Sequence, residues 1–296
     1  MSDMTLDANH DQLASPGGAL LSLEGIMLRS ITGNHWIHNV SVIGGSGDAG
    51  LRNLLYETFA VWILGSSQGA DAAQSAGNLI ENVNVSKPGR PMSQGSPAGG
   101  AMDGIILSNA TGEIRNNVVE GYGIAYGGWS MSNVWFHDNI SRDTYYGFNA
   151  DAFSNNGVIL QSNQFFHPIA YGIIIGGESP EETFSNWNVI HNTVTLNASG
   201  TIGLGIRGQV KDSFFTNNTI QSDSGTAHNL TAIVSYSSAS GVVNFSNNFQ
   251  DNHIDGSMHV NFSQDPNFNT NCRYQNRDLQ GHPIPSFPDN SGRQCK

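Results

Sequence analysis

GFNADAFSNNGVILQSNQFFHPIAYGIIIGGESPEETFSNWNVIHN, residues 147–192, contains the same pattern twice. Each copy opens on Gly followed by an apolar, any, apolar triplet: Gly147-Phe148-Asn149-Ala150, then Gly172-Ile173-Ile174-Ile175. Each continues to an apolar residue, two others and Asn: Leu160 to Asn163, then Val189 to Asn192. Outward from this stretch, the first half recurs at Gly104, Gly123 and Gly203, and with Ala in the Gly place at Ala60 and Ala232. The second half recurs from Ile114 to Asn117, Phe136 to Asn139, Phe215 to Asn218 and Phe245 to Asn248. Two earlier units, Ile37-His38-Asn39-Val40 and Ile80-Glu81-Asn82-Val83, carry the Asn one place sooner. The period drifts over about 22–30 residues, within the range of solenoid repeats.

Such units contain short alternating strands and tight turns, with one side chain pointing in and the next out. None can bury its apolar side alone; stacked, they bury a continuous core. The recurring Asn suits a sharp turn because it tolerates left-handed backbone. Its amide can also bond to the Asn above and below as a ladder. The two half-patterns resemble the right-handed parallel β-helix of the pectin-lyase-like superfamily, over residues 18–248. That resemblance implies an all-β solenoid of about eight coils with three strands each. The Gly strand comes first, and the Asn sits between the second and third. The expected organisation is a cap or first rung at 1–17, the β-helix at 18–257, and a Pro-rich tail at 258–296 that packs on or caps the open end. Residues 65–78 and 86–102 interrupt the repeat as small-residue loops.

Only 12% of the chain is charged, and 24 acidic residues against 12 basic give a formal charge of −12. A nucleic-acid partner would need a basic face, which is missing. No apolar run approaches the roughly 20 residues of a membrane span. The two cysteines, Cys272 and Cys295, read either as a disulfide stapling the tail or as two free thiols. The disulfide reading implies a secreted or cell-surface protein. The polar first residues are not a leader, and a mature exported chain would read the same.

The resemblance implies an active face on the outside of the first-strand sheet. If the residues one and three after Gly point inward, the outward columns are Trp62, Ile106, Ala125, Asn149, Ile174, Gly205, Val234 and Leu64, Ser108, Gly127, Asp151, Gly176, Arg207, Tyr236. Against this small and apolar background Asn149, Asp151, Arg207 and Tyr236 stand out. Strands about 4.8 Å apart make Arg207 and Tyr236 neighbours and leave Asp151 and Arg207 about 9.6 Å apart across Gly176. That gap reads as room for a ligand or as a surface ion pair. Asp103 precedes Gly104, beside a loop carrying Lys87 and Arg90. Tyr122, Tyr146 and Tyr171 occupy the same place in the next coils and predict a stack of rings. Asp143 and His167 fall at matching turn positions, which read either as a solvated turn pair or as a carboxylate orienting the imidazole for acid–base work. Glu178, Glu181 and Glu182 with Asp151 offer oxygens to calcium, but their spacing matches no calcium loop. No Cys/His cluster suits zinc, and no other cofactor is implied.

Two functional readings follow. A carbohydrate-active enzyme, a polysaccharide lyase or glycoside hydrolase, would use Arg207 as base or charge neutraliser, with Tyr236 or His167 giving the proton. A hydrolase would instead need two carboxylates about 6.5–9.5 Å apart if inverting, with Asp103 and Asp151 as candidates. Asn149, Trp62, Tyr146 and Tyr171 would then hold the glycan. The Asp-Asp and Gly-His-Gly motifs of β-helix polygalacturonases and the Arg-X-Pro-X-X-Arg segment of pectate lyases are absent. The other reading is a non-catalytic β-helix, tailspike-like or adhesin-like, that binds glycans through exposed Trp62, Trp129, Trp135 or Trp187, or serves only as structure.

Overall fold

In the computed structural model, the units that open on Gly or Ala become strands of one parallel sheet. The structure describes residues 2–7, 21–29, 31–43, 55–66, 73–86, 101–177, 179, 181–197, 201–223, 229–236, 246–265 and 270–290. Nine strands form this first sheet: Leu21–Arg29, Leu55–Leu64, Ala101–Ser108, Ile124–Trp129, Tyr146–Ala150, Tyr171–Ile175, Ile202–Arg207, Thr231–Tyr236 and His259–Gln264. Each pairs in parallel with the strand one coil later, so the chain winds as a right-handed parallel β-helix. The second and third strands of each coil join one bent sheet of 18 strands. A small third sheet, Asn155–Asn156, Thr183–Ser185 and Gln209–Lys211, fills out the wider coils. The described residues include no helix long and apolar enough to cross a membrane.

The opening Gly has a packing role. It and the next residue both face the core, which breaks strict alternation. A Cβ at Gly172 would lie 2.3 Å from Val194 Cγ1, and one at Gly203 would lie 2.5 Å from Ile220 Cγ2. Gly104 and Gly147 meet Val119 and Phe165 of their own third strands in the same way. The coil closes there, leaving no volume for a side chain. Gly172→Ala is expected to cost about 1–3 kcal/mol, as overpacking does. Adding Val194→Ala should recover part of that loss in a denaturant titration, because it vacates the clashing volume. Two variants with purely additive losses would contradict this packing account.

The Asn ladder runs through Asn117, Asn139, Asn163, Asn192, Asn218, Asn252 and Asn276. Each Nδ2 donates to the Oδ1 of the next, from Asn117 to Asn139 at 2.9 Å up to Asn252 to Asn276 at 2.9 Å. Each from Asn117 to Asn252 also donates its backbone N–H to that same Oδ1. The left-handed position is a different residue, the one before: Asn116, Asp138, Ser162, His191, Asn217, Asp251 and Gln275 all have φ between 51° and 56°. This separates two roles that the sequence reading assigned to one Asn. It also explains the early units, since Asn39 (φ 52°) and Asn82 (φ 54°) occupy the left-handed place. The ladder ends where Val83 donates its N–H to Asn117 Oδ1 at 2.9 Å.

Register corrects two assignments. Ile124 lies opposite Asp103, and Tyr126 opposite Ile105, so Ala125 takes the Gly place in that coil and faces the core. The outward residues there are Ile124, Gly127 and Trp129, and Tyr122 leaves the expected ring stack for the main core. Likewise Phe215 pairs with Phe249, making Phe249 to Asn252 the true unit rather than Phe245 to Asn248. One further unit follows at Arg273 to Asn276, with Arg273 in the apolar place. Burial pushes its guanidinium pKa down. The coil thus continues through Cys272–Tyr274 and Arg277–Asp278, and Phe287 packs across its end on Phe249 and Phe262. Cys272 is disulfide-bonded; Cys295, the chain's other cysteine, lies outside the described residues.

Candidate functional site

On the first-strand sheet, the gap across Gly176 is filled by Arg207 itself. Its Nη2 donates to Asp151 Oδ2 at 3.0 Å and its Nε to the Gly176 carbonyl at 2.9 Å. Gly176 is required by close approach, since a Cβ would lie 1.7 Å from the Arg207 carbonyl oxygen. The Tyr236 backbone pairs with Arg207, as expected; its side chain lies outside the described set. Asn149 is buried between Gly127 and Ile174, and its Oδ1 has no hydrogen-bond partner among the described residues.

The remaining first-sheet candidates are mostly covered. Asp103 is fully buried, in register with Phe59 and Ile124. Trp62 is only 7% exposed, stacks on Phe59 at 4.3 Å and donates Nε1–H to Ser108 Oγ at 2.9 Å. With Leu64, Ile106 and Ile124 these rings form a second apolar cluster, with Trp129 and Tyr146 at its margin. Tyr146 and Tyr171 are neighbours, with ring centroids 5.9 Å apart and planes tilted by 33° rather than stacked. His167 stands on a turn with Asp143 at 3.4 Å and Asp223 at 3.2 Å, away from the Asp151–Arg207 pair in sequence and strand. Glu182 accepts the backbone N–H groups of Phe153 and Ser179. Among the described residues no group of three or more His, Cys, Asp or Glu is arranged to hold a metal ion, and Glu178, Lys87 and Arg90 lie outside them.

The most developed surface is on the second strands. Register aligns Trp36, Leu79, Glu113, Trp135, Ile159, Asn188 and Phe214 in one outward column. Every third rung carries an exposed ring: Trp36 is 53% exposed, Trp135 38% and Phe214 40%. Strand spacing puts successive rings about 14 Å apart. The neighbouring column starts His38, Glu81, Arg115, His137. Each indole is braced by the imidazole two residues on, Trp36 by His38 at 4.1 Å and Trp135 by His137 at 4.0 Å.

Charges knit the platform between the first two rings. Arg115 donates to Glu81 Oε2 through Nε at 2.9 Å and Nη2 at 2.7 Å, and to Glu113 Oε1 through Nη1 at 2.8 Å. Glu113 also meets His137 Nε2 at 2.9 Å, while Nδ1 of that ring lies 2.7 Å from Asp138. Trp36 Nε1 donates to Glu81 Oε1 at 2.9 Å. The sequence reading missed this face, apart from Trp135. Its signal was a repeated Trp-apolar-His, Trp36-Ile37-His38 and Trp135-Phe136-His137, at the same place in two coils.

The Arg115 hydrogen bond holds the Glu81 carboxyl below its ordinary value of 4.5 and holds the guanidinium up. A carboxylate depressed in the folded state contributes stability above its unfolded value, and this is lost as pH falls through the folded one. The part of the tryptophan fluorescence that depends on Glu81, read as the difference from Glu81→Gln, is therefore expected to change only below the ordinary 4.5. A transition of that difference confined to the range above about pH 5 would contradict the assignment to Glu81.

Compared with known proteins, the chain matches no family model and no curated protein.

Proposed function

We propose that this β-helix binds a neutral polysaccharide lengthwise along the outer face of its second strands. One observation carries this reading: exposed aromatic rings recur on every third rung of a single column. Rings at a fixed interval on a rigid sheet suit a chain with a repeating unit. An indole supplies a large apolar face at low entropic cost, and the carboxylates beside it accept hydroxyl hydrogens. The net charge of −12 and the carboxylates Glu81, Glu113 and Asp138 repel a polyuronate, and ring stacking needs no charge on the sugar, which favours a neutral chain.

The enzymatic reading keeps one observation in its favour: Arg207 and Asp151 remain partly exposed on the first-strand sheet. Against turnover there, the two side chains neutralise each other, and Asp103 is sealed from any substrate. The two readings separate in one assay on a polysaccharide panel. Binding is expected to retard the protein in gels containing a neutral glycan, with no new reducing ends and no unsaturated product. Products that form with the unaltered chain and vanish in Asp151→Ala and Arg207→Ala would make it an enzyme instead.

A further inference from the structure

A groove of about 220 Å³ opens where the first strands hand over to the second. All its lining residues except Met131 carry a hydroxyl or an amide, and none is charged. Ser130, Ser132, Ser154, Asn155, Asn156 and Thr183 form most of the wall. Several are already fixed by the scaffold. Asn155 Oδ1 accepts the Met131 N–H at 2.7 Å, Asn156 Oδ1 accepts from Ser185 and Asn186, and Thr183 donates to Gln209. Ser154 Oγ accepts the Thr183 N–H at 3.0 Å, which leaves its hydroxyl hydrogen to point elsewhere. Ser130 is only 5% exposed, and its Oγ has no hydrogen-bond partner among the described residues. That oxygen is almost wholly covered, so a ligand satisfies the costly unpaired hydroxyl only once the side chain turns toward the groove.

We infer that this groove is a binding site for one neutral sugar ring, separate from the aromatic column. Its volume falls below the ~300–1,000 Å³ of sites for drug-sized ligands, so it suits a single pyranose. Its pre-oriented hydroxyls and amides match the mixed donors and acceptors of sugar hydroxyls, which replace groove waters bond for bond. With no cation or anion in its wall, it gives no ion pair to a uronate or an amino sugar. The inference does not rest on the platform.

The test uses the full chain and methyl glycosides of glucose, galactose and mannose, with glucuronate and glucosamine as charged controls. Ligand-observed NMR reads binding. At least one neutral glycoside is expected to bind saturably, with the charged sugars at least tenfold weaker. Ser154→Trp should fill the groove and lower affinity at least tenfold. Ser130→Gly removes the hydroxyl and relaxes a left-handed backbone position (φ 53°), so the fold is kept while affinity falls several-fold. Ser132→Phe serves if Ser154→Trp does not fold. Trp36→Ala with Trp135→Ala should leave this binding unchanged, whatever it does to polysaccharide binding. The inference is overturned if no neutral glycoside binds, if a charged sugar binds as well, or if a folded groove-filling variant binds as the parent does.

Discussion

Replacing Asn163 by Ala is expected to destabilise the coil on the order of 4 kcal/mol. Asn163 Oδ1 accepts both the backbone N–H and the Nδ2 of Asn139, and its own Nδ2 donates to the Phe136 carbonyl and Asn192 Oδ1. Deleting the side chain removes four hydrogen bonds among buried neighbours, although Asn139 Nδ2 keeps the Ile114 carbonyl and Asn192 Oδ1 keeps the backbone N–H of residue 163. Each unmade bond costs about 1–3 kcal/mol, and relaxation or an entering water returns part of the sum. Ser162→Gly is the matching control. Ser162 holds the left-handed turn (φ 53°) without entering the ladder, so Gly there should cost nothing and can stabilise slightly. Solenoid stability is a sum over neighbouring coils, so hydrogen exchange coil by coil is the proper readout. Protection should drop in the coils flanking Asn163 first. A variant within about 1 kcal/mol of the parent, on the scale of a net hydrogen bond, would mean that the ladder is not what holds the coils in register.

Removing Trp36 and Trp135 together is expected to abolish measurable polysaccharide binding while leaving the fold intact. Both indoles are exposed, so neither truncation opens a core cavity. An anchoring Trp contributes about 2 kcal/mol or more when truncated, close to 30-fold in affinity. The rings lie three rungs apart and stack on different imidazoles, so the two losses should add to several hundred-fold or more. Trp36→Phe keeps an apolar face but loses the bond to Glu81 Oε1, and should give an intermediate loss. Phe214→Ala tests whether the column continues, with a further loss expected only for glycans long enough to reach it. Unchanged affinity in the double variant would remove the basis of the functional proposal.

The solenoid was legible because its constraints recur. A Gly where the coil closes and an Asn in the ladder are forced in coil after coil, and repetition makes each visible. What escaped notice lay where one residue type fills two roles. Asn39 and Asn82 look like ladder residues arriving early, yet they occupy the adjacent left-handed position, which Asn tolerates equally well. Gly123 imitates the closing Gly two places ahead of Ala125, because either small residue fits the crowded corner. Arg273 hides the last unit by standing where the others have an apolar residue.

The candidate site was less legible for a different reason. Outward alternation was read only along the first strand, where Arg207 and Asp151 stand out by scarcity. Side-chain reach then closed the space that backbone spacing left open, and no count of rungs shows that. On the second strand the informative residues are two apart within a coil and three rungs apart between coils. Trp36 and Trp135 therefore lie 99 positions apart in the chain and share a column only once every intervening register is known.

The most direct measurement is a crystal structure of the full chain with a neutral oligosaccharide bound. Sugar rings stacked on Trp36 and Trp135, with hydroxyls on Glu81 or Glu113 and the chain running along the solenoid axis, are the predicted result. Density confined to the Asp151–Arg207 face of the first-strand sheet, with the two indoles bare, would contradict the account.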